Sequence, residues 1–101
     1  MTIDINILDH SVLASLQGRL DTAASTQFAT DMQPLLDHAD KPIVLDCSAL
    51  EFISSSGLRL FLSLRKASLA HGGKVTFRNL NPEIKQVFTI TGFTTLFEFE
   101  D

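Results

Sequence analysis

The stretch from Ile43 to Leu58 limits the fold more than any other part of the chain. An unbroken apolar run, Ile43-Val44-Leu45, is closed by Asp46, and a short step later Ile53-Ser54-Ser55-Ser56-Gly57-Leu58 opens the strongest helical segment. The apolar run does not alternate, so it reads as a central strand covered on both faces, as strands of parallel sheets are. The serine run then sits at a helix mouth. A helix N-terminus offers unpaired N–H groups and a partial positive charge. Hydroxyls and a glycine placed there make a site where a phosphate can be attached or bound at low cost.

The rest of the chain supplies the partners such a strand needs. Ile3, Ile5 and Ile7 alternate with Asp4 and Asn6, and Val12, Ala14 and Leu16 repeat the pattern after the turn residues Asp9-His10-Ser11. Two half-buried strands joined as a hairpin follow. Gly18-Arg19-Leu20-Asp21 ends the second strand, and Asp21 or Thr22 can cap a helix over residues 23–39, kinked at Pro34. Lys41-Pro42 breaks that helix. The next helix, over 55–71, stops at Gly72-Gly73. Val75-Thr76-Phe77 is a fourth strand, Asn81-Pro82 starts a third helix that stops at Gly92, and Leu96-Phe97-Glu98-Phe99 alternates as an edge strand. The order ββαβαβαβ predicts an α/β domain of two or three layers with a mixed sheet flanked by helices.

Composition narrows the function classes. At 101 residues there is room for one core, hence a single domain spanning 1–101. A net charge of −4 with only 8 scattered Lys and Arg argues against a nucleic-acid partner, which needs a cationic stripe. No segment approaches the roughly 18 apolar residues of a membrane span. The start, Met1 to Ile5, lacks the charged and apolar regions of a signal peptide, and a cytoplasmic protein is expected. The lone Cys47 excludes an internal disulfide and a cysteine metal cluster. It is expected just past the third strand as a small buried or half-buried residue, not a reactive thiol. His10, His38 and His71 are dispersed, so neither a metal site nor a cofactor is expected.

On a helical wheel, Arg59, Ser63, Lys66 and Ala70 share one stripe of the second helix. Leu58, Phe61, Leu62 and Leu69 flank it on one side; Leu60, Leu64 and Ala67 lie on the other. A sheet-packed helix needs an apolar stripe of only about 100°. The excess is either covered by neighbouring helices or is a partner surface. Ser56 projects with Arg59 and Ser63. A phosphoryl group on Ser56 would meet the helix mouth and the Arg59 guanidinium, while Asp21 and Asp46, expected at nearby strand ends, would repel it. The plainer reading has one serine capping the helix and the others filling a turn.

The residues Val44-Leu45-Asp46-Cys47-Ser48 and Phe52-Ile53-Ser54-Ser55-Ser56-Gly57-Leu58-Arg59 resemble the signature of STAS domains, the anti-sigma factor antagonists. Gly18-Arg19-Leu20-Asp21, Gly72-Gly73-Lys74-Val75 and Ile90-Thr91-Gly92-Phe93 fit the same family, so the resemblance spans essentially the whole chain. It implies partner switching. Unphosphorylated, such a protein binds an anti-sigma factor that is also a serine kinase, and the sigma factor is freed. The kinase, using ATP and Mg²⁺, phosphorylates the antagonist, and a metal-dependent serine phosphatase resets it.

The resemblance places the phosphoacceptor at Ser56. The partner-binding residues are expected around it, at Asp21, Ser54, Ser55, Gly57, Leu58, Arg59, Phe61 and Leu62. Sporulation-type members often have Asp where this chain has Ser54. Many members continue into a C-terminal helix, whereas this sequence ends at Asp101, so a trimmed form is expected.

The expected function is therefore a non-enzymatic anti-sigma factor antagonist. Two alternatives are an unphosphorylated STAS scaffold or nucleotide-responsive adaptor, and a small enzyme with Ser56 as nucleophile. The last needs a base within hydrogen-bond reach of Ser56, and no histidine is near it in sequence.

Overall fold

The computed structural model describes residues 1–100. The elements run β1 (Thr2–Ile7), β2 (Val12–Leu20), α1 (Thr22–Asp31), α2 (Gln33–Asp37), β3 (Pro42–Ile53), α3 (Ser55–Ala70), β4 (Lys74–Arg78), α4 (Pro82–Ile90), a 3₁₀ turn (Phe93–Thr95) and β5 (Glu98–Glu100). They build one five-stranded mixed sheet in the order β1-β2-β3-β4-β5. β1 and β2 are antiparallel, and every other pair is parallel.

The hairpin forms as its alternation requires. Ile3, Ile5 and Ile7 sit opposite Leu16, Ala14 and Val12, so the apolar residues of both strands share one face. The predicted long helix is two. Asp21 caps α1 by accepting the Ala24 N–H at 2.8 Å, and the helix ends at Met32. Pro34 then falls in the first turn of α2, where its missing N–H costs nothing. The sequence pattern runs through this break because Phe28, Met32 and Leu35 all reach the same core.

β3 corrects two expectations. Asp46 does not close the strand, which continues to Ile53, and Cys47 lies inside it, fully buried. Nor is β3 covered on both faces. Ile43, Leu45 and Cys47 are buried on one side, while Val44 and Asp46 are only half-buried on the other. The helices all pack on the first side. Phe61 of α3 meets Phe28 of α1, Phe77 of β4 and Phe88 of α4 edge-on, at 5.9, 5.1 and 6.5 Å between ring centroids. Val44 is apolar for a different reason: it stands in a cross-strand row with Leu13 and Thr76 on the uncovered face. The domain therefore has two layers, a sheet and one layer of helices.

Candidate functional site at the mouth of α3

The site is made where β2 and β3 end side by side. Leu20 pairs with Ile53, and the Ser54 N–H donates to the Leu20 carbonyl at 2.8 Å. The next residues, Asp21 and Ser54, cap α1 and α3, so the two helix mouths open beside each other at one edge of the sheet. Ser54 has extended backbone, and its Oγ accepts the Gly57 N–H at 3.2 Å. Its carbonyl accepts the Leu58 N–H at 3.0 Å. The N–H groups of Ser55 and Ser56 are left without an intrahelical partner, as the first groups of any helix are.

Gly57 is required by this close approach. A Cβ there would lie 2.7 Å from Leu20 Cγ and 3.1 Å from Ile53 Cγ1. Only glycine lets α3 begin this tightly against the sheet, and that fixes where the neighbouring serines stand.

Ser55 is exposed. Ser56 is half-buried and shares a shallow depression with Thr22, Ser25, Thr26, Arg59 and Leu60. Arg59 is exposed and forms no ion pair among the described residues. Ser63, one turn on, donates its hydroxyl to the Arg59 carbonyl at 3.2 Å. Ser56 is thus a small, accessible nucleophile at a positive helix end, with an uncommitted cation on its own helix.

Other expected residues land elsewhere. Phe61 is 1% exposed and lies at the centre of the aromatic core, so no partner can touch it. Its position on the wheel follows the sheet-facing stripe of Gly57, Phe61, Leu64 and Ser68. Leu58 is half-buried against the core, whereas Leu62 is 38% exposed. Asp46 is not at the mouth. It pairs with Ser15, five residues before Leu20 on β2, or about 17 Å along the strand. There it accepts the Ser48 N–H at 2.9 Å and faces Arg78 at 3.8 Å. That backbone hydrogen bond, outweighing partial burial and helped by Asn79 and Arg78, holds its pKa below the ordinary carboxylate value. Burial, reinforced by the Asp46 charge, pushes the Cys47 thiol up to about 12, so it stays protonated and inert.

The sequence reading did not find the α1 wall of the depression, Thr22 and Thr26, because only tertiary packing brings it to Ser56. It also overlooked the guanidinium of Arg19, which lies 4.5 Å above the Phe52 ring at the ends of β2 and β3. The signal available was the strand-end position of both residues.

Known proteins share this fold. The STAS domain family model matches residues 2–101. The chain belongs to the STAS domain family. A relative from Bordetella bronchiseptica, provisionally named anti-sigma factor antagonist BtrV, is 31% identical over 97 residues, covering 96% of this chain and 84% of its own. A Thermotoga maritima structure, provisionally described as an anti-sigma factor antagonist, superposes with a TM-score of 0.87 at 21% identity, over 98% of this STAS domain and 86% of that chain. The Bacillus cell-fate determinant SpoIIAA in its phosphorylated form has a TM-score of 0.72 at 22% identity, over 99% and 92% of the two chains. These structural likenesses show the fold. No helix among the described residues is long and apolar enough to cross a membrane.

Proposed function

We propose that this STAS domain is an anti-sigma factor antagonist switched by phosphorylation of Ser56. The observation that carries the reading is the setting of Ser56: accessible, in the first turn of α3, beside the uncommitted Arg59. The name of the Bordetella relative supports the same role. Unphosphorylated, the domain docks an anti-sigma factor that is also a serine kinase, and the sigma factor is released. We place this exchange in the cytoplasm, where the kinase has ATP. In the transfer the Ser56 Oγ attacks the γ-phosphorus of ATP. The bond from that phosphorus to the bridging oxygen breaks, ADP leaves, and the hydroxyl proton passes to a base on the kinase. The domain itself is the substrate and supplies no catalyst. A metal-dependent serine phosphatase hydrolyses the ester and restores binding.

Docking uses the edge that surrounds the serine: Asp21, Ser54, Ser55, Leu58, Arg59 and Leu62, with Gly57 holding the helix in place. Phosphorylation adds about −1.5 to −2 charges at pH 7. In a closed interface that dianion must be desolvated opposite groups chosen for a neutral hydroxyl. A loss of about 2.7 kcal/mol, or ~100-fold in affinity, follows with no change of fold.

The test is incubation with the cognate kinase and ATP–Mg²⁺, followed by mass spectrometry of the peptide spanning Ser54–Ser56. Phosphate on Ser56 is expected, with none on the Ser56→Ala variant. Transfer to another residue, or tight binding without transfer, would replace the switch with an unphosphorylated scaffold.

A further inference from the structure

Of the four arginines, Arg65 and Arg78 are committed within the fold. Arg65 Nε donates to the Leu96 carbonyl at 2.7 Å, and Arg78 faces Asp46 at 3.8 Å and Glu100 at 3.5 Å. Arg19 and Arg59 are in no ion pair among the described residues, and both stand at the edge where β2 and β3 end. They bracket the serine run. Leu20 and Ile53 point into the core, so their neighbours Arg19 and Phe52 project from the uncovered face of the sheet. Arg59 stands on the α1 side with Ser56.

Arg19 is also preorganised. Its guanidinium carbon lies over the ring of Phe52, an exposed aromatic, 4.5 Å from the centroid. A guanidinium held by a cation–π contact has lost part of its side-chain freedom and still has N–H groups to offer a carboxylate. Glu51 and Glu83 line the same depression, yet neither is in an ion pair with Arg19. A protein interface of ordinary size, about 800 Å² per partner, covers both sides of this edge at once.

We infer that the partner docks an acidic surface on this edge, with one carboxylate on the Arg19–Phe52 pair and another on Arg59. The inference rests on the proposed function and adds the chemistry of the partner face. It also gives the switch a second arm. A phosphoryl group on Ser56 repels the acidic partner and engages Arg59 within the domain, so the partner's carboxylate loses its cation as well. Arg19 lies on the other side of the edge and keeps its contact in both states.

The test uses the purified kinase that phosphorylates Ser56 in the assay above, with binding measured by calorimetry. Affinity for the unphosphorylated domain should fall about tenfold or more between about 50 and about 300 mM NaCl. Arg19→Ala and Arg59→Ala should each weaken binding about tenfold and flatten that salt dependence. Arg19→Lys should recover only part of the loss. In a Ser56→Asp background, Arg59→Ala should add little further loss, while Arg19→Ala should still cost its full factor.

Salt-independent affinity, or Arg19→Ala binding within about twofold of the parent, would overturn the acidic-partner inference. Full additivity of Ser56→Asp with Arg59→Ala would overturn the second arm. Both arginines are exposed, and unchanged thermal melts separate these effects from misfolding. Parent-like binding by Ser56→Asp overturns the proposed function itself. A weak Ser56→Asp beside parent-like arginine variants overturns this inference alone.

Discussion

Helix α3 joins two regions built on opposite rules. At its first turn the side chains are small and polar, and several groups have no partner within the fold: the N–H groups of Ser55 and Ser56, the Ser56 hydroxyl and the Arg59 guanidinium. One turn further along, Phe61 enters a cluster in which Phe77 touches Phe61, Phe88 and Phe97 at 4.9–5.1 Å and stacks on Phe99 at 5.8 Å. In the cluster nearly every surface is already in contact. Stability is concentrated there because apolar area removed from water and edge-on ring contacts add up. The proposed binding site lies at the mouth, where groups left unsatisfied by folding remain available to a partner or a phosphate. A single rigid helix couples the two without mixing them.

Substitutions can break that division. The largest effect is expected from Phe77→Ala. Urea unfolding should show a loss of about 3–5 kcal/mol, while the fraction still folded binds the kinase with parent affinity. Ser56→Asp should do the reverse, costing ~100-fold in kinase affinity, or about 2.7 kcal/mol, and moving the urea midpoint very little. Gly57→Ala sits on the boundary. Its new Cβ meets the buried Leu20, and a destabilisation of about 1–3 kcal/mol should come with weaker phosphorylation of a displaced Ser56. If stability falls while phosphorylation keeps its rate, the glycine does not set the position of the serine.

Ser54→Ala removes the cap on Gly57 N–H and should cost about 1 kcal/mol in the same unfolding assay. Ser54→Asp should keep the cap and favour the positive helix end. The smallest effect belongs to Asp46. Its folded pKa lies below the unfolded value, so its stabilisation is present above the ordinary carboxylate pKa and is lost as pH falls through the folded value. Asp46→Asn should cost under about 1 kcal/mol at neutral pH, and the gap from the parent should close in acid-titrated melts. It should leave kinase binding unchanged, because the residue is far from the mouth.

Much of this division was legible in the residues. The isoleucine alternation gave the hairpin, Asp21 and Asn81-Pro82 gave two helix starts, and the serine run before Gly57 pointed to the candidate site. Asp21, Ser54 and Asn81 each cap a helix through the side chain, an interaction decided within three residues. Longer-range placements were not legible. Val44 looked like a doubly covered strand residue, because apolarity does not say whether a helix or a cross-strand neighbour does the shielding. Phe61 looked available to a partner, because a wheel orders side chains around an axis but does not say which sector meets the sheet. Asp46 was expected beside Asp21, but β3 runs on past it for seven residues to Ile53.

The sequence by itself determined most of the elements, their order and the helix end that carries the serines, since capping, periodicity and turn chemistry act over a few neighbouring residues. Only the tertiary structure decided which face of the sheet the helices cover and which side of α3 is left open. It also decided that Thr22 and Thr26 of α1 face Ser56 while Arg19 stands across the edge. Those placements depend on how β2 pairs with β3 and on how closely Gly57 lets α3 approach Leu20. They are contacts between residues thirty or more positions apart, fixed when the core closes.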